Sequence, residues 1–168
     1  AKDATEHYLA WLNDPKINAY LEVRFSPPNK VEDLAEFIKK INNSRDSLLL
    51  GIFLRAGNRH IGNIKLGPID LNHAVSDLGF LIGDDQQWGK GYASEAILLL
   101  TEYAFDQLGL AKLTAGCSFK NQGSFRALQK VGFKKEGHLI SHWKFGSIRQ
   151  DGLLMGRINP TYDSENHC

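Results

Sequence analysis

A short segment carries the residue types of an anion-binding turn: Gln86, Gln87, Trp88, Gly89, Lys90, Gly91, Tyr92, Ala93 and Ser94. It joins an apolar run that ends at Ile82 to an amphipathic stretch that begins at Ala93. This pattern predicts a strand, a glycine-bearing turn and a helix N-terminus. Glycines let the backbone turn tightly and approach a ligand. The first N–H groups of a helix lack partners within it, and the helix dipole is positive there. The segment therefore predicts a site for a phosphate-bearing cofactor.

Three kinds of glycine loop bind phosphates, and spacing separates them. A P-loop has four residues between its glycines and then Lys-Ser/Thr. Here five residues separate Gly83 from Gly89, and Gly91 stands where the hydroxyl residue should be. A dinucleotide-binding loop needs a third glycine, but this chain has Ser94 there. The remaining pattern, Gln86-x-x-Gly89-x-Gly91, resembles the Gln/Arg-x-x-Gly-x-Gly/Ala signature of the acetyl-CoA-dependent N-acetyltransferases called the GNAT superfamily.

A second segment strengthens the resemblance. Asn121-x-x-Ser124-x-Arg126, followed by Gly132-Phe133, is similar to the stretch that these enzymes carry in their penultimate helix. The resemblance covers residues 5–157. One segment near the start resembles the branch that contains the Rim-type ribosomal-protein N-terminal acetyltransferases. Its residues are Tyr8-Leu9-Ala10-Trp11-Leu12-Asn13-Asp14-Pro15. Similar openings occur among acetyltransferases that act on amino sugars.

The resemblance implies an acetyl-CoA site built mainly from main-chain groups, with no metal. The pantetheine arm would pair with residues 81–83, and the pyrophosphate would lie on N–H groups of residues 87–94. An N–H near Phe80 or Leu81 would polarise the thioester carbonyl. A packing indole at Trp88 and a solvated ammonium at Lys90 are the simpler interpretations. The implied cofactor contacts are Leu81, Ile82, Gly83, Gln86, Gln87, Trp88, Gly89, Lys90, Gly91, Tyr92, Ala93, Ser94, Asn121 and Ser124. Asn121 and Ser124 would alternatively serve as a helix cap and a turn hydroxyl.

The general base is left open among three residues. Asp77 matches an acidic residue common in the Rim-type branch, although a solvated strand-end carboxylate is an equal alternative. Glu22 lies in the segment that shapes the acceptor pocket in the family, where it would bind substrate or form an exposed ion pair with Arg24. His142 carries an imidazole, the side chain most often used for proton transfer. Leu128 stands where many GNAT enzymes have a tyrosine general acid, so the leaving thiolate is protonated by water, by another side chain or without specific catalysis.

Two classes of function fit this resemblance. The first is an active N-acetyltransferase. The alternative is a non-catalytic CoA-binding or protein-interaction module, because a fold persists where its chemistry is lost. The acceptor is left open between a protein N-terminal amine, an amino sugar and another small amine. Cys117 is expected to be a buried strand residue, so the amine is expected to attack the thioester directly, without an acyl-enzyme.

Composition excludes several other classes. The chain has 168 residues, which predicts a single GNAT domain over residues 1–168 with a mobile polar tail at residues 160–168. Its 20 basic and 19 acidic side chains leave a net charge of +1, so no nucleic-acid partner is expected. The longest aliphatic run, residues 48–54, is too short to cross a membrane. Two cysteines and no signal peptide favour the cytoplasm. A homodimer is left open.

Hydrophobic periodicity predicts a series of helices and strands, and the GNAT resemblance implies a mixed α/β (α+β) fold with helices flanking a central, twisted, mostly antiparallel sheet. The order is α-α-β-β-β-α-β-α-β-β. It matches the GNAT order except for an opening strand, which would lie before Ala1 or be reduced to residues 1–4. The cofactor is expected at a splay between strands 75–82 and 112–118. Residues 48–54 are expected to form a strand buried on both faces, and Asn29 is expected to cap a helix with Glu32 in a capping box. Residues 24–28 are expected to be a loop, and residues 133–140 a strand.

Overall fold

The computed structural model describes residues 3–163, which contain six strands and six α-helices. The strands are β1 (Leu48–Leu54), β2 (Arg59–Asp70), β3 (Val75–Ile82), β4 (Lys112–Ser118), β5 (Lys134–Phe145) and β6 (Ile148–Ile158). The α-helices are α1 (Glu6–Asn13), α2 (Pro15–Asn18), α3 (Val31–Asn42), α4 (Tyr92–Asp106), α5 (Gln122–Lys130) and α6 (Pro160–Asp163). Three short 3₁₀ helices span Glu22–Phe25, Ala56–Asn58 and Asp85–Gln87. None of the helices in the described range is long and apolar enough to cross a membrane.

The strands form one sheet in the order β1-β2-β3-β4-β6-β5. Every neighbouring pair is antiparallel except β3 and β4. These two strands pair only where Val75–Asp77 meets Lys112–Thr114. Beyond that point they separate and leave a cleft between Leu78–Ile82 and Ala115–Ser118. The predicted fold class is confirmed, and the splay lies where the sequence places it.

Each face of the sheet carries its own apolar core. Helices α4 and α5 cover one face, where Leu66, Ile97, Leu110 and Leu113 are fully buried. Helices α1, α2 and α3 contribute most of the second core, which includes Tyr8, Trp11, Leu12, Ile17, Leu34 and Ile38. Apolar residues recur on one face of these helices because a helix turns every 3.6 residues. The two cores hold β3 between them and so fix the position of the cleft.

Two expectations about local environment are wrong. Strand β1 is not buried on both faces: its residues are partly or largely exposed because it is the edge strand, and Leu50 is 45% exposed. Helix α3 begins one residue later than predicted, with Lys30 as its N-cap. Asp33, rather than Glu32, accepts hydrogen bonds from the N–H groups of Asn29 and Lys30 at 3.1 and 3.3 Å.

Three boundaries also differ. The predicted loop at residues 24–28 begins within the 3₁₀ helix Glu22–Phe25. Strand β5 continues to Phe145, beyond the predicted end at residue 140, because it pairs with β6 in a long hairpin. Part of the predicted tail forms α6, while residues 164–168 lie outside the described range. Of the residues considered for an opening strand, Asp3 and Ala4 are not in a strand, and residues 1–2 lie outside the described range.

Candidate active site

A groove of about 740 Å³ opens where β3 and β4 separate. Its walls are the end of β3, the glycine turn, the start of α4 and one side of α5. The lining residues include Phe80, Leu81, Ile82, Gln87, Trp88, Gly89, Gly91, Tyr92, Ala93, Ser94, Asn121 and Ser124. Eleven of the fourteen residues predicted to contact a cofactor are therefore brought together in one groove.

The start of α4 presents free donors to this groove. Gly91 is the N-cap with φ 92°, and Gly89 has φ 75°, so both positions need the left-handed backbone that glycine adopts without strain. No acceptor within residues 3–163 bonds the N–H groups of residues 89–94. The predicted N–H groups of Gln87 and Trp88 are not available, because they donate to Asp84 and Asp85 at 2.9 and 3.1 Å. The unpaired N–H groups therefore span residues 89–94 rather than 87–94.

Basic side chains line the same groove, and the sequence motifs did not single them out. They are Lys16 from α2, Lys120 before α5, and Arg126 and Lys130 from α5. Lys16 Nζ also donates to Asp85 Oδ2 at 2.6 Å. Within residues 3–163, the lining itself contains no carboxylate. A groove with cationic walls and unpaired amides attracts phosphate groups. Only the packing of α2 and α5 against the glycine turn brings these charges together.

Three predicted cofactor contacts lie outside the lining of the groove. The Gly83 N–H donates to Ile61 O at 2.9 Å, and a Cβ on Gly83 would overlap the Trp11 indole. Gln86 is exposed and its amide donates to Asp85 Oδ1 at 3.3 Å. Lys90 Nζ donates to Gln87 Oε1 at 3.2 Å. Gly83 therefore has a local structural reason to be glycine: it makes room for α1.

Trp88, Asn121 and Ser124 combine local contacts with positions in the lining. Trp88 Nε1 donates to Ile82 O at 2.8 Å, so the indole braces the turn against β3. Asn121 Oδ1 accepts from Ser124 N at 3.2 Å and caps α5. The helix-cap interpretation of Asn121 is correct. Asn121 and Ser124 still face the groove, because the first turn of α5 points into the cleft.

A second cavity of about 210 Å³ adjoins the groove. It is lined by Tyr20, Leu21, Glu22, Leu78, Gly79, Phe80, Ala115, Gly116, Cys117, Ser118, Asn121, Ser124, Trp143 and Phe145. Five of these residues also line the groove, namely Tyr20, Leu21, Phe80, Asn121 and Ser124. The two spaces therefore meet at a shared wall, as expected for a site that joins two substrates.

Arg24 holds the 3₁₀ helix Glu22–Phe25 in place beside this cavity. The Arg24 side chain is only 11% exposed. Its guanidinium donates to Leu21 O at 2.5 Å and to Lys144 O at 3.1 Å, and its Cζ lies 4.2 and 4.8 Å from the ring centroids of Phe25 and Phe145. Arg24 therefore links the 3₁₀ helix to the β5–β6 hairpin, and it also forms the predicted ion pair with Glu22, in which the guanidinium is buried and the carboxylate is exposed.

The three predicted base residues are not brought together. Glu22 lines the second cavity, is 67% exposed and lies 3.5 Å from Arg24 Nη1. Asp77 lies on β3 outside both linings, where the hydroxyl of Thr114 donates to its carboxylate. His142 is exposed on β5, also outside both linings, with its ring edge-to-face against Trp143. Among residues 3–163, Glu22 is thus the one carboxylate in either lining.

Two further expectations depend on burial. Cys117 is buried on β4, as predicted, and burial raises the pKa of its thiol. Leu128, at the position of the family tyrosine, is 1% exposed and belongs to the core between α4, α5 and the sheet.

Tyr20 is the ionisable side chain common to both cavities. The sequence analysis chose Glu22 from this segment and not Tyr20, because no residue spacing singles out the tyrosine.

Comparisons with known proteins agree with this geometry. Residues 1–134 match the acetyltransferase (GNAT) domain family. The chain is 35% identical over 112 residues to the probable N-acetyltransferase YjcK of Bacillus subtilis, covering 66% of this chain and 61% of that protein. It is 29% identical over 102 residues to the spermidine N(1)-acetyltransferase of Vibrio cholerae, covering 61% of this chain and 58% of that protein.

A solved structure shares the fold. The spermidine N-acetyltransferase of Vibrio cholerae, in complex with CoA and spermine, superimposes with a TM-score of 0.81 at 22% identity. The match covers 92% of this chain and 89% of that one. Identity at this level shows the shared fold alone. The family match covers most of the chain, and the protein therefore belongs to the acetyltransferase (GNAT) family, with the enzyme class of an N-acetyltransferase.

Proposed function

We propose that this protein transfers an acetyl group from acetyl-CoA to a small primary amine by direct attack. The observation that carries the proposal is the junction of the two cavities at Tyr20, Leu21, Phe80, Asn121 and Ser124. The groove offers free amides and cations to one reactant, and the smaller cavity offers a carboxylate to the other. Holding two reactants at one junction removes much of the entropic barrier to their reaction.

The groove fits the phosphates and the pantetheine arm of CoA. The unpaired N–H groups of residues 89–94 and the cations of Lys16, Lys120, Arg126 and Lys130 suit its phosphates. Beyond Asp77, β3 has no strand partner on its β4 side within the described residues, so its main-chain groups are available to an extended amide-bearing arm. A structural relative is in complex with CoA, which supports this assignment.

Acetyl-CoA supplies the acetyl group as a thioester. The main-chain N–H of Phe80 or Leu81, at the inner end of the groove, is proposed to stabilise the charge that develops on the carbonyl oxygen. Asn121 and Ser124 line both cavities and hold the first turn of α5 against this point. These groups are pre-positioned by the sheet and the helix cap, so little reorganisation is needed when charge develops.

Proton transfer is assigned to two side chains. A primary amine is largely protonated at neutral pH and loses one proton before attack and another after the C–N bond forms. Glu22 is proposed to accept a proton from the amine, directly or through water. The thiolate released as the C–S bond breaks takes up one proton, and Tyr20 is proposed to donate it. Tyr20 thereby takes the role for which Leu128 is chemically unsuited.

A small amine suits the second cavity. Its volume of about 210 Å³ is below the 300–1,000 Å³ common for drug-sized ligands. The aromatic side chains of Tyr20, Phe80, Trp143 and Phe145 and the carboxylate of Glu22 favour a cation. The similarity to spermidine acetyltransferases supports an acceptor of this kind. A peptide N-terminus, as in the Rim-type branch, and an amino sugar are the competing acceptors.

A panel of acceptors tests the proposal. The full chain is incubated with acetyl-CoA and one amine at a time: a diamine, spermidine, an amino sugar, an amino acid amide and a short peptide. Free CoA is measured with a thiol reagent, and the acetylated amine is identified by mass spectrometry. Turnover with the diamine or spermidine well above that with the peptide supports the proposal. Binding of CoA without turnover of any amine would instead indicate a non-catalytic CoA-binding module.

Cys117 should be dispensable for catalysis. Cys117→Ala is expected to keep kcat within about twofold of the unchanged chain, since the thiol is buried and its raised pKa keeps it protonated and weakly nucleophilic. The measurement is kcat with the best acceptor of the panel, together with intact-protein mass after incubation with acetyl-CoA alone. An acetyl adduct on Cys117, with loss of activity in a folded variant, would contradict direct attack.

A further inference from the structure

Strand β5 contains an insertion directly beside the second cavity. Leu139 pairs with Gly152 and Trp143 pairs with Gln150, so four residue steps along β5 correspond to two along β6. The two extra residues lie within the stretch 140–142. An insertion of this kind is a β-bulge, which bends a strand and re-aims its side chains.

The bulge decides where the Trp143 indole lies. In a hairpin without it, the register at Leu139 would pair Trp143 with Ile148, two residue steps or about 7 Å nearer the turn. With the bulge, the indole lies over two glycines. A Cβ on Gly116 would lie 3.8 Å from Trp143 Cζ2, and one on Gly152 only 2.7 Å from Nε1. The absence of a side chain at residue 152 therefore makes room for the indole.

Two side chains of β6, those of Asp151 and Arg149, form hydrogen bonds with the residues of the bulge. Asp151 accepts from Ser141 N–H at 2.8 Å with one carboxylate oxygen and lies 2.7 Å from His138 Nε2 with the other. Arg149 donates to Ser141 O at 2.6 Å and to His142 O at 3.2 Å. Ser141 has φ 50°, a left-handed conformation that is uncommon for serine. These bonds hold the backbone in a shape that the sequence does not favour locally.

Trp143 itself has no polar anchor. Its Nε1 is buried and lacks a hydrogen-bond partner among residues 3–163. Packing and the backbone of the bulge are therefore what position the indole.

We propose that Trp143 limits the size of the amine that the second cavity admits, and that Asp151 and Arg149 are positioning residues that act through the bulge. The inference rests on the proposed function, because it assigns this cavity to the acceptor. An indole is the largest side chain, so its removal would enlarge a space of only about 210 Å³ considerably. Short, unbranched primary amines are then the natural acceptors, and amines with a bulky group near the nitrogen are excluded.

Replacing the indole tests the size limit. Trp143→Ala and Trp143→Phe are compared with the unchanged chain on a linear amine and on amines that bear a branched or aromatic group. The ratio of kcat/KM for bulky over linear amine should rise at least about 10-fold in Trp143→Ala and less in Trp143→Phe, as expected when a pocket gains several carbon volumes. The KM for acetyl-CoA should stay within about twofold. An unchanged ratio in an active, folded Trp143→Ala variant would overturn the inference alone.

A second variant tests the positioning role. Asp151→Ala should raise the KM for the linear amine at least about fivefold and shift the size ratio in the same direction, with the KM for acetyl-CoA unchanged. Asp70→Ala is the matched control, since Asp70 also caps a turn by accepting from Asn72 N and His73 N, at 2.9 and 3.0 Å, but lies on β2 and has no bond to the bulge. In a Trp143→Ala background, the size-ratio effect of Asp151→Ala should vanish.

Additive effects of the two substitutions would contradict the positioning role. Circular dichroism melting curves identify the temperature at which all variants are folded. Absence of turnover by the unchanged chain with every amine would overturn the proposed function, and the size limit with it.

Discussion

A Gly91→Val variant should bind acetyl-CoA at least about 100-fold more weakly than the unchanged chain. Gly91 is the N-cap of α4 with φ 92°, a conformation that a β-branched residue adopts only with strain. Valine would turn the backbone of residues 89–94 away from the groove or shorten the helix, and either change removes amide donors from the phosphates. Hydrogen bonds to charged groups contribute about 1.5–3 kcal/mol each, so losing one or two accounts for this factor.

Calorimetric titration with acetyl-CoA measures the effect. Gly57→Val is the matched control: Gly57 also has a left-handed backbone, with φ 76°, and open space where a Cβ would stand, but it lies in the turn between β1 and β2. That variant should lose stability by backbone strain and keep its affinity. If Gly91→Val bound acetyl-CoA as tightly as the unchanged chain, the proposal that the phosphates bind at the start of α4 would be wrong.

Glu22→Gln should lower kcat about 100-fold and change the KM for acetyl-CoA by less than about twofold. The amide is nearly isosteric with the carboxylate but does not accept the proton of the ammonium, and general-base catalysis contributes about 10²–10⁴-fold. Glu22 is the carboxylate that lines the acceptor cavity, whereas the groove for the cofactor contains none within the described residues. The substitution is therefore expected to impair proton removal from the amine and to leave the binding of acetyl-CoA almost unchanged.

Two comparison variants sharpen this test. Asp77→Asn and His142→Gln should each change kcat by less than about threefold, because both residues lie outside the two cavities. The measurement is kcat across pH with the best acceptor, after checking that each variant melts at a similar temperature. If Asp77→Asn had the largest effect, the base would instead act from the β3–β4 junction, where Thr114 donates to Asp77.

The parts of the site that are local in sequence were predictable. Two glycines two residues apart, flanked by an apolar run and an amphipathic helix, already specify a turn with free amides, since each feature depends on dihedral preferences within a few residues. The same holds for Asn121, whose cap on α5 involves Ser124 three residues away. Strand β3 begins at the predicted residue 75 for this reason, and α4 begins at Tyr92, directly before the amphipathic stretch that starts at Ala93.

Other expectations were wrong or incomplete because they depend on which elements pack against one another. The apolar composition of β1 predicts burial, yet its place at the sheet edge leaves it partly exposed. The GNAT resemblance implies that Gly83 contacts the cofactor, but the indole of Trp11, 72 positions earlier, occupies the space beside it. Burial is a property of the packed chain, and composition predicts it only where the number of covering layers is known.

The sequence by itself determined the fold class, and it determined the glycine turn and the helix that together present unpaired N–H groups. Tertiary structure decided which charges meet those groups: Lys16 and Lys130 lie 114 residues apart in the chain and line one groove. It also separated Glu22 from Asp77 and His142, and it placed Trp143 through a bulge whose register depends on β6. Local motifs follow from backbone preferences over a few residues. The second cavity follows from the register and packing of distant segments, which no short sequence pattern encodes.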